Sequence, residues 1–268
     1  MSGTWRIHST AIIDESAEIG PDVEIGPFCC IGANVKIGEG TILYSRVDIV
    51  RNTVVGTNCR IHSGTVLGGP PQDKKYNGEQ TFVIIGNNNI LREYVTIHCA
   101  TGEGNVTRLG NNNMIMAYAH IGHNCDIESD VTIASYAGLS GHVLIEDGVN
   151  IGGICGLHQG SRIGKLAMIG GMSGIAQDIP PYMLAAGARA QVYGINVIGL
   201  RKAGVVSKVR AELKEAFRLL YRSNLNDSQA LETIAADIPS SPELDHLLAF
   251  KRGTRNGLRG RGNTPSPV

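Results

Sequence analysis

The chain has 268 residues, 24 Lys+Arg against 24 Asp+Glu, 42% hydrophobic residues and, besides these, 35 glycines. That length admits one large domain or two. No apolar run is long enough to span a membrane, the N-terminus lacks the charged-then-apolar pattern of a secretion signal, and nothing in the overall charge points to nucleic acid.

From Ile7 onward every sixth residue is aliphatic. The series runs Ile7, Ile13, Ile19, Ile25 and on to Leu67, resumes over Ile85, Leu91 and Ile97, and resumes again from Leu109 to Ile175. That makes 26 hexads in one phase. A helix repeats at about 3.6 residues and a strand at 2, so a strict period of six belongs to neither alone. It predicts a parallel β-helix of hexapeptide units, each a short strand and a turn. Three hexads close a triangular coil, which gives eight to nine coils. With the aliphatic residue as position one, position two is Gly in 12 of the 26 hexads, as in Gly20, Gly26, Gly38, Gly122 and Gly164. This reading assigns those glycines to unusual backbone angles at a tight corner. Position five is small, as in Cys29, Thr41, Ala119, Cys125 and Cys155. It is the second inward site.

The repeat breaks twice, near residues 69–82 and 99–108. Both gaps are whole multiples of six, so the phase survives. Loops that leave a rigid solenoid often carry function. The first offers Gln72, Asp73, Lys74, Lys75 and Tyr76. After Ile175, the stretch through Pro180 and Pro181 leads out of the coil, and the solenoid domain is expected to occupy 1–190. A helical domain is expected over 191–252: helix from about Asn196, amphipathic spacing over 205–221, a helix near 228–236 capped within Asn226-Asp227-Ser228, and another toward Phe250 capped by Ser240 or Ser241. Residues 253–268, rich in Gly, Arg, Pro, Asn and Ser, read as a disordered tail. The charge is split: residues 1–194 carry 12 basic against 17 acidic groups, and 195–268 carry 12 against 7. A basic C-terminal region suits an acidic protein partner or a solvated helix surface.

Six cysteines raise disulfides or metal. Cys29, Cys59, Cys125 and Cys155 sit at the inward position five, where cysteine acts as a small hydrophobe, and no C-x-x-C occurs. Reduced thiols in a cytoplasmic protein are expected. Of eight histidines, His120, His123, His142 and His158 cluster, with His98 just before them. His123 and His142 are 19 residues apart and His142 and His158 are 16 apart, close to three hexads, so they can share one edge of the prism. Imidazoles there suit proton transfer near neutral pH, or they are surface histidines at coil corners. A metal is a third reading, and His120-x-x-His123 would be the available pair.

The stretches PQDKKYNGE (71–79), AHIGHNC (119–125), SGHV (140–143), GLHQG (156–160) and SGIAQDIPPY (173–182) together resemble the acyl-[acyl-carrier-protein]–UDP-N-acetylglucosamine O-acyltransferases, which open lipid A biosynthesis. The likeness spans residues 5 to about 250. It implies an all-β solenoid plus α fold: a left-handed parallel β-helix of hexapeptide repeats with a C-terminal helical domain. It implies a homotrimer with sites between subunits, no cofactor and no metal. The reaction implied is transfer of a 3-hydroxyacyl group from acyl carrier protein to the 3-hydroxyl of UDP-N-acetylglucosamine. The position matching the general base is His123, and the oxyanion donor is the Gly141 amide. Asn124 stands where Asp is frequent; it can orient the imidazole but not neutralise its charge. Gln72, Asp73, Lys75, His98, His120, His142, His158, Gln159, Asn196 and Lys202 match substrate-contact positions. Gly171 matches the residue that limits acyl length, with Met168 and Arg189 beside the acyl groove. A glycine at 171 implies a long acyl chain. Further departures are Ile198 for an acidic residue, Lys202 for Arg, and Arg189 for His.

Two alternatives keep the fold. A CoA-dependent sugar acetyltransferase usually lacks both the PQDKKYNGE loop and the long helical region. A zinc carbonic anhydrase-like trimer needs a wider histidine pairing. The related enzyme that acylates a 2-amino group normally carries a domain before its hexads, which here begin at Ile7.

Overall fold

The computed structural model describes residues 6–255. They form 27 strands and four helices, numbered β1–β27 and α1–α4 in chain order. From β1 (Ile12–Ile13) to β25 (Gly174–Ile175), nearly every strand is the pair of residues at positions six and one. Successive strands go to three different sheets in rotation. The first sheet contains β1, β4, β7 and so on to β25; the second begins at β2 (Glu18–Ile19) and the third at β3 (Glu24–Ile25). Every pairing within this coil is parallel, and Ile13 lies beside Ile31, 18 residues on. From Ile25 to Ile175 each aliphatic residue at position one is buried, and so are the position-five side chains that alternate with them. Ile7, in the first hexad, is half exposed, and among the described residues no coil lies beyond it. The β-helix reading therefore holds.

The position-two glycines do not owe their place to unusual backbone angles. The left-handed backbone conformation falls at position four, as in Asp22, Phe28, Asn34, Asn58 and Tyr118. The position-two glycines, Gly68 aside, have ordinary φ. Their reason is close approach of the next coil: a Cβ on Gly26 would lie 2.8 Å from the Tyr44 carbonyl oxygen, and one on Gly122 2.7 Å from that of Leu139.

All six cysteines are free thiols, and burial pushes the Cys125 thiol up to about 12, which makes it inert. Both insertions leave from the same corner. The first joins β10 (Val66–Gly69) to β11 (Phe82–Ile85), and the second joins β13 (Thr96–His98) to β14 (Val106–Leu109). Each passes from the first sheet to the second. The first stretches the pairing to Leu67 beside Ile97 and the second to Ile97 beside Ile121.

The sheet does not end at residue 190. β26 (Met183–Ala186) adds to the third sheet in parallel, and β27 (Gln191–Ile195) folds back antiparallel on it. These strands lack the six-residue period, so the sequence pattern did not reveal them. The helices follow: α1 (Val197–Lys202), α2 (Ser207–Tyr221), α3 (Asp227–Asp237) and α4 (Pro242–Arg255). Asn226 caps α3 in a capping box with Gln229, and the Ser241 hydroxyl accepts from Leu244 N–H. Residues 253–255, read from sequence as tail, continue α4; the rest of that tail lies outside the described residues. No helix among the described residues is long and apolar enough to cross a membrane.

Candidate active site

The corner after the first sheet gathers the histidines. Strands β16 (His120–Ile121), β19 (Gly138–Leu139) and β22 (Gly156–Leu157) lie side by side there. An 18-residue coil puts His123, Gly141 and Gln159 in one column, with Asn124 and His142 in the next. The ladder confirms the stacking: His142 N–H donates to the His123 carbonyl at 2.9 Å, and Gly160 N–H to that of Gly141 at 3.0 Å. His142 is thus stacked on Asn124, while Gly141 faces the His123 ring. A Cβ at Gly141 would run into that imidazole, so glycine is required for the ring to sit where it does.

His123 is 7% exposed. Its Nδ1 lies 2.9 Å from Asn124 Oδ1. Its Nε2 lies 3.9 Å from the Asp73 carboxylate of the first insertion. The His142 ring meets it edge-on, with centroids 5.2 Å apart. A cleft of about 370 Å³ opens here, lined by Gln72, His98, His120, His123, Gly141 and Gln159. A hollow of about 330 Å³ adjoins it through Gly138 and Ser140 and includes His158. The amide N–H of Gly141 has no partner within the described chain. Of the sequence candidates, the structure unites Gln72, Asp73, Asn124, Gly141, Gln159 and all five histidines on one edge. Gly138 and Ser140 were missed, although adding 18 residues to His120 and Gly122 points to both.

Burial, aided by the neighbouring His98 and His123 rings, pushes His120 down to about 4, and its Nδ1 pairs with the Thr96 hydroxyl at 2.8 Å. Burial also holds His98 and His142 below the usual imidazole range. A native histidine that resists protonation costs stability as acid charges the unfolded chain first. The loss begins as pH falls below about 6.5 and is complete near 4, reaching about 3 kcal/mol for a group held that far down. We expect the urea midpoint to fall from pH 7 to pH 4.5, and less steeply in His120→Gln. An equal slope in that variant would contradict the assignment.

Other candidates lie elsewhere. Lys75 is exposed; its backbone N–H donates to Asp73 Oδ1 at 2.9 Å. Gly171 and Met168 belong to the third-sheet side, where β24 (Met168–Ile169) runs, and Arg189 is exposed between β26 and β27. Asn196 and Lys202 line a hollow with Met168, Tyr193 and Ile198. The Asn196 amide is engaged in structure: Oδ1 caps α1 at Gly199 N–H and Nδ2 donates to the Leu166 carbonyl. Among the described residues no group of three or more His, Cys, Asp or Glu is placed to hold a metal ion.

A family model described as Udp N-acetylglucosamine O-acyltransferase, domain 2, matches residues 178–260, and a bacterial transferase hexapeptide model matches 107–141. The acyl-[acyl-carrier-protein]–UDP-N-acetylglucosamine O-acyltransferase of Thermodesulfovibrio yellowstonii is 48% identical, over 94% of this chain and 98% of its own. Among solved structures, LpxA from Acinetobacter baumannii is 41% identical with a TM-score of 0.90, covering 92% of this chain and 96% of that one. LpxA from Bacteroides fragilis, a UDP-N-acetylglucosamine acyltransferase, is 35% identical with a TM-score of 0.91, covering 96% and 99%.

Proposed function

The chain belongs to the acyl-[acyl-carrier-protein]–UDP-N-acetylglucosamine O-acyltransferase family, and from that premise we propose that it moves a 3-hydroxyacyl group from acyl carrier protein to the 3-hydroxyl of UDP-N-acetylglucosamine, the opening step of lipid A biosynthesis. The observation that carries the mechanism is the His123 setting: Nδ1 against the Asn124 oxygen and Nε2 toward the cleft. Nε2 removes the sugar hydroxyl proton as the oxygen attacks the thioester carbonyl. The tetrahedral oxyanion takes a hydrogen bond from the Gly141 amide. Collapse expels the carrier-protein thiolate, which takes the proton back from the imidazolium. Gln72, Asp73, Lys75, His98, His120, His142, His158 and Gln159 contact the two substrates. The basic C-terminal helices steer the acidic carrier protein, in a cytoplasmic setting. No cofactor is needed. The coil is read as left-handed, as in its relatives.

Incubation with UDP-N-acetylglucosamine, 3-hydroxyacyl carrier proteins of several lengths and acetyl-CoA tests this by mass spectrometry. A 3-O-hydroxyacyl nucleotide sugar with a long chain is expected, shortened in Gly171→Met. Acetyl transfer alone would discard the reading.

We also propose a homotrimer. Position four after the third sheet carries Phe28, then Arg46 and Gly64, then an unbroken apolar run of Tyr94, Tyr118, Tyr136, Ile154 and Met172; all have positive φ, and the apolar six are 49–74% exposed. After the second sheet the same position holds Asp22, Gly40, Asn58, Asn88, Asn112, Asp130 and Gly148, with Leu166 the one bulky residue. Asn and Asp tolerate that conformation; bulky side chains in it are strained. An exposed apolar ridge held at such cost suits a subunit contact. Gly171 neighbours this ridge, while His123 lies on another edge. A neighbouring copy's ridge set against the histidine corner would join ruler and base, and a heterologous contact closes into a ring. Sedimentation equilibrium should give three times the chain mass, and Tyr118→Glu with Tyr136→Glu should give monomers lacking activity. A monomeric active enzyme would refute it.

A further inference from the structure

The two insertions meet behind His123. Glu79, in the first, accepts Gly102 N–H of the second at 2.9 Å and Asn77 N–H at 2.9 Å. Gln80 N–H donates to Glu103 at 3.1 Å, and Gly104 N–H to the Gln80 carbonyl at 2.9 Å. The residue before Gly102 is Thr101. Its N–H and hydroxyl donate to Asn124 Oδ1 at 2.9 and 3.0 Å, and its carbonyl accepts from Asn124 Nδ2 at 3.1 Å. The Asn105 amide holds the same carbonyl at 2.8 Å.

A backbone N–H can only donate and a carbonyl can only accept. Thr101 therefore dictates which end of the Asn124 amide is oxygen. That oxygen faces His123 Nδ1, so Nδ1 must carry the proton and Nε2 must present its lone pair to the cleft. Asn124 is then more than a weakened Asp: a carboxylate would set an oxygen against the Thr101 carbonyl. The missing negative charge comes from the front, where Asp73 approaches Nε2. Asp73 and Glu79 belong to the same insertion.

We propose that Glu79 is a positioning residue for the acyl transfer, holding Thr101 so that its backbone sets the Asn124 amide and, through it, the Nδ1–H tautomer of His123. This rests on His123 as the base. Glu79 is not among the residues that line the cleft, and the hydrogen bond from Gly102 N–H links it to the residue next to Thr101. The amides of Gly102 and Asn77 hold its carboxyl below the usual range, as an ionised acceptor requires.

The test uses full-length protein labelled with ¹⁵N-histidine, His123 being assigned by its loss in His123→Gln. Wild type and Glu79→Gln, whose amide oxygen still accepts from Gly102, should show His123 protonated at Nδ1. Glu79→Ala should show a mixture of tautomers. Its kcat should fall about tenfold with KM within twofold, a modest share of what a misplaced base forfeits, while Glu79→Gln stays near wild type. An Nε2–H tautomer in wild type, or an unchanged tautomer and kcat in Glu79→Ala, would overturn the proposal. If the wild-type protein transferred no acyl group, the functional reading would fail, yet the tautomer pattern would still report on the Glu79 linkage.

Discussion

His123→Ala is expected to lower kcat about 10³-fold while leaving KM for the nucleotide sugar within a few-fold, since a positioned base contributes roughly 10² to 10⁴. The sugar hydroxyl is a poor nucleophile until its proton is removed, and His123 lines the cleft with its Nδ1 held by the Asn124 amide oxygen and its Nε2 beside the Asp73 carboxylate. The neighbouring rings are poorer substitutes. His120 has its Nδ1 on Thr96 and is pushed down to about 4, and burial holds His98 below the usual imidazole range. The fold should survive, because the His123 side chain lies outside the aliphatic column that fills the coil. Circular dichroism and the thermal midpoint check that, and His142→Ala serves as a comparison with a smaller loss. Turnover within tenfold of wild type in His123→Ala would remove this ring from the mechanism.

Arg162→Ala should be the costliest change outside the site. Arg162 projects from the second sheet and pins α4 to the last coil. Its Nε and Nη2 each reach Asp178 Oδ2 at 2.9 Å, Nη2 donates to the Phe250 carbonyl at 3.0 Å, and the guanidinium lies 4.1 Å over the Phe250 ring. It also meets the Thr254 hydroxyl. The two charged side chains are 10% and 4% exposed. Removing one partner strands a buried charge, which costs about 3–5 kcal/mol. Because a solenoid couples mainly to its nearest neighbours, the loss should appear at the C-terminal end first, as faster amide exchange in α4. The double variant with Asp178→Ala should recover part of the loss, because it leaves no unpaired charge. A single-variant cost under about 1 kcal/mol would mean that the pair is not what docks the helix.

Much of this was legible in the residues. The period of six needs only local information, since each hexad places one large and one small side chain inward whatever its neighbours do. Helix caps at Asn226 and Ser241 were readable for the same reason. The histidine cluster was readable as a cluster, but its internal arrangement was not. Spacings of 19 and 16 suggested that His142 answers His123, whereas the stack sets Gly141 there. The glycine rule was half right: position two is glycine because the next coil presses on it, and that pressure exists only between coils. Strands β26 and β27 escaped notice because they add to an existing edge, which supplies the order their pattern lacks.

By itself, then, the sequence determined the coil, its length, its two interruptions and the chemical class of its polar corner, because these follow from repeats within a few residues. Only the tertiary structure decided that both interruptions leave at the histidine corner, that the apolar ridge runs along a different edge, and that Thr101 turns the Asn124 amide toward His123. Those features depend on backbone groups and on residues 18 to 30 apart meeting across coils, and backbone hydrogen bonds carry no residue-type signature to read in advance.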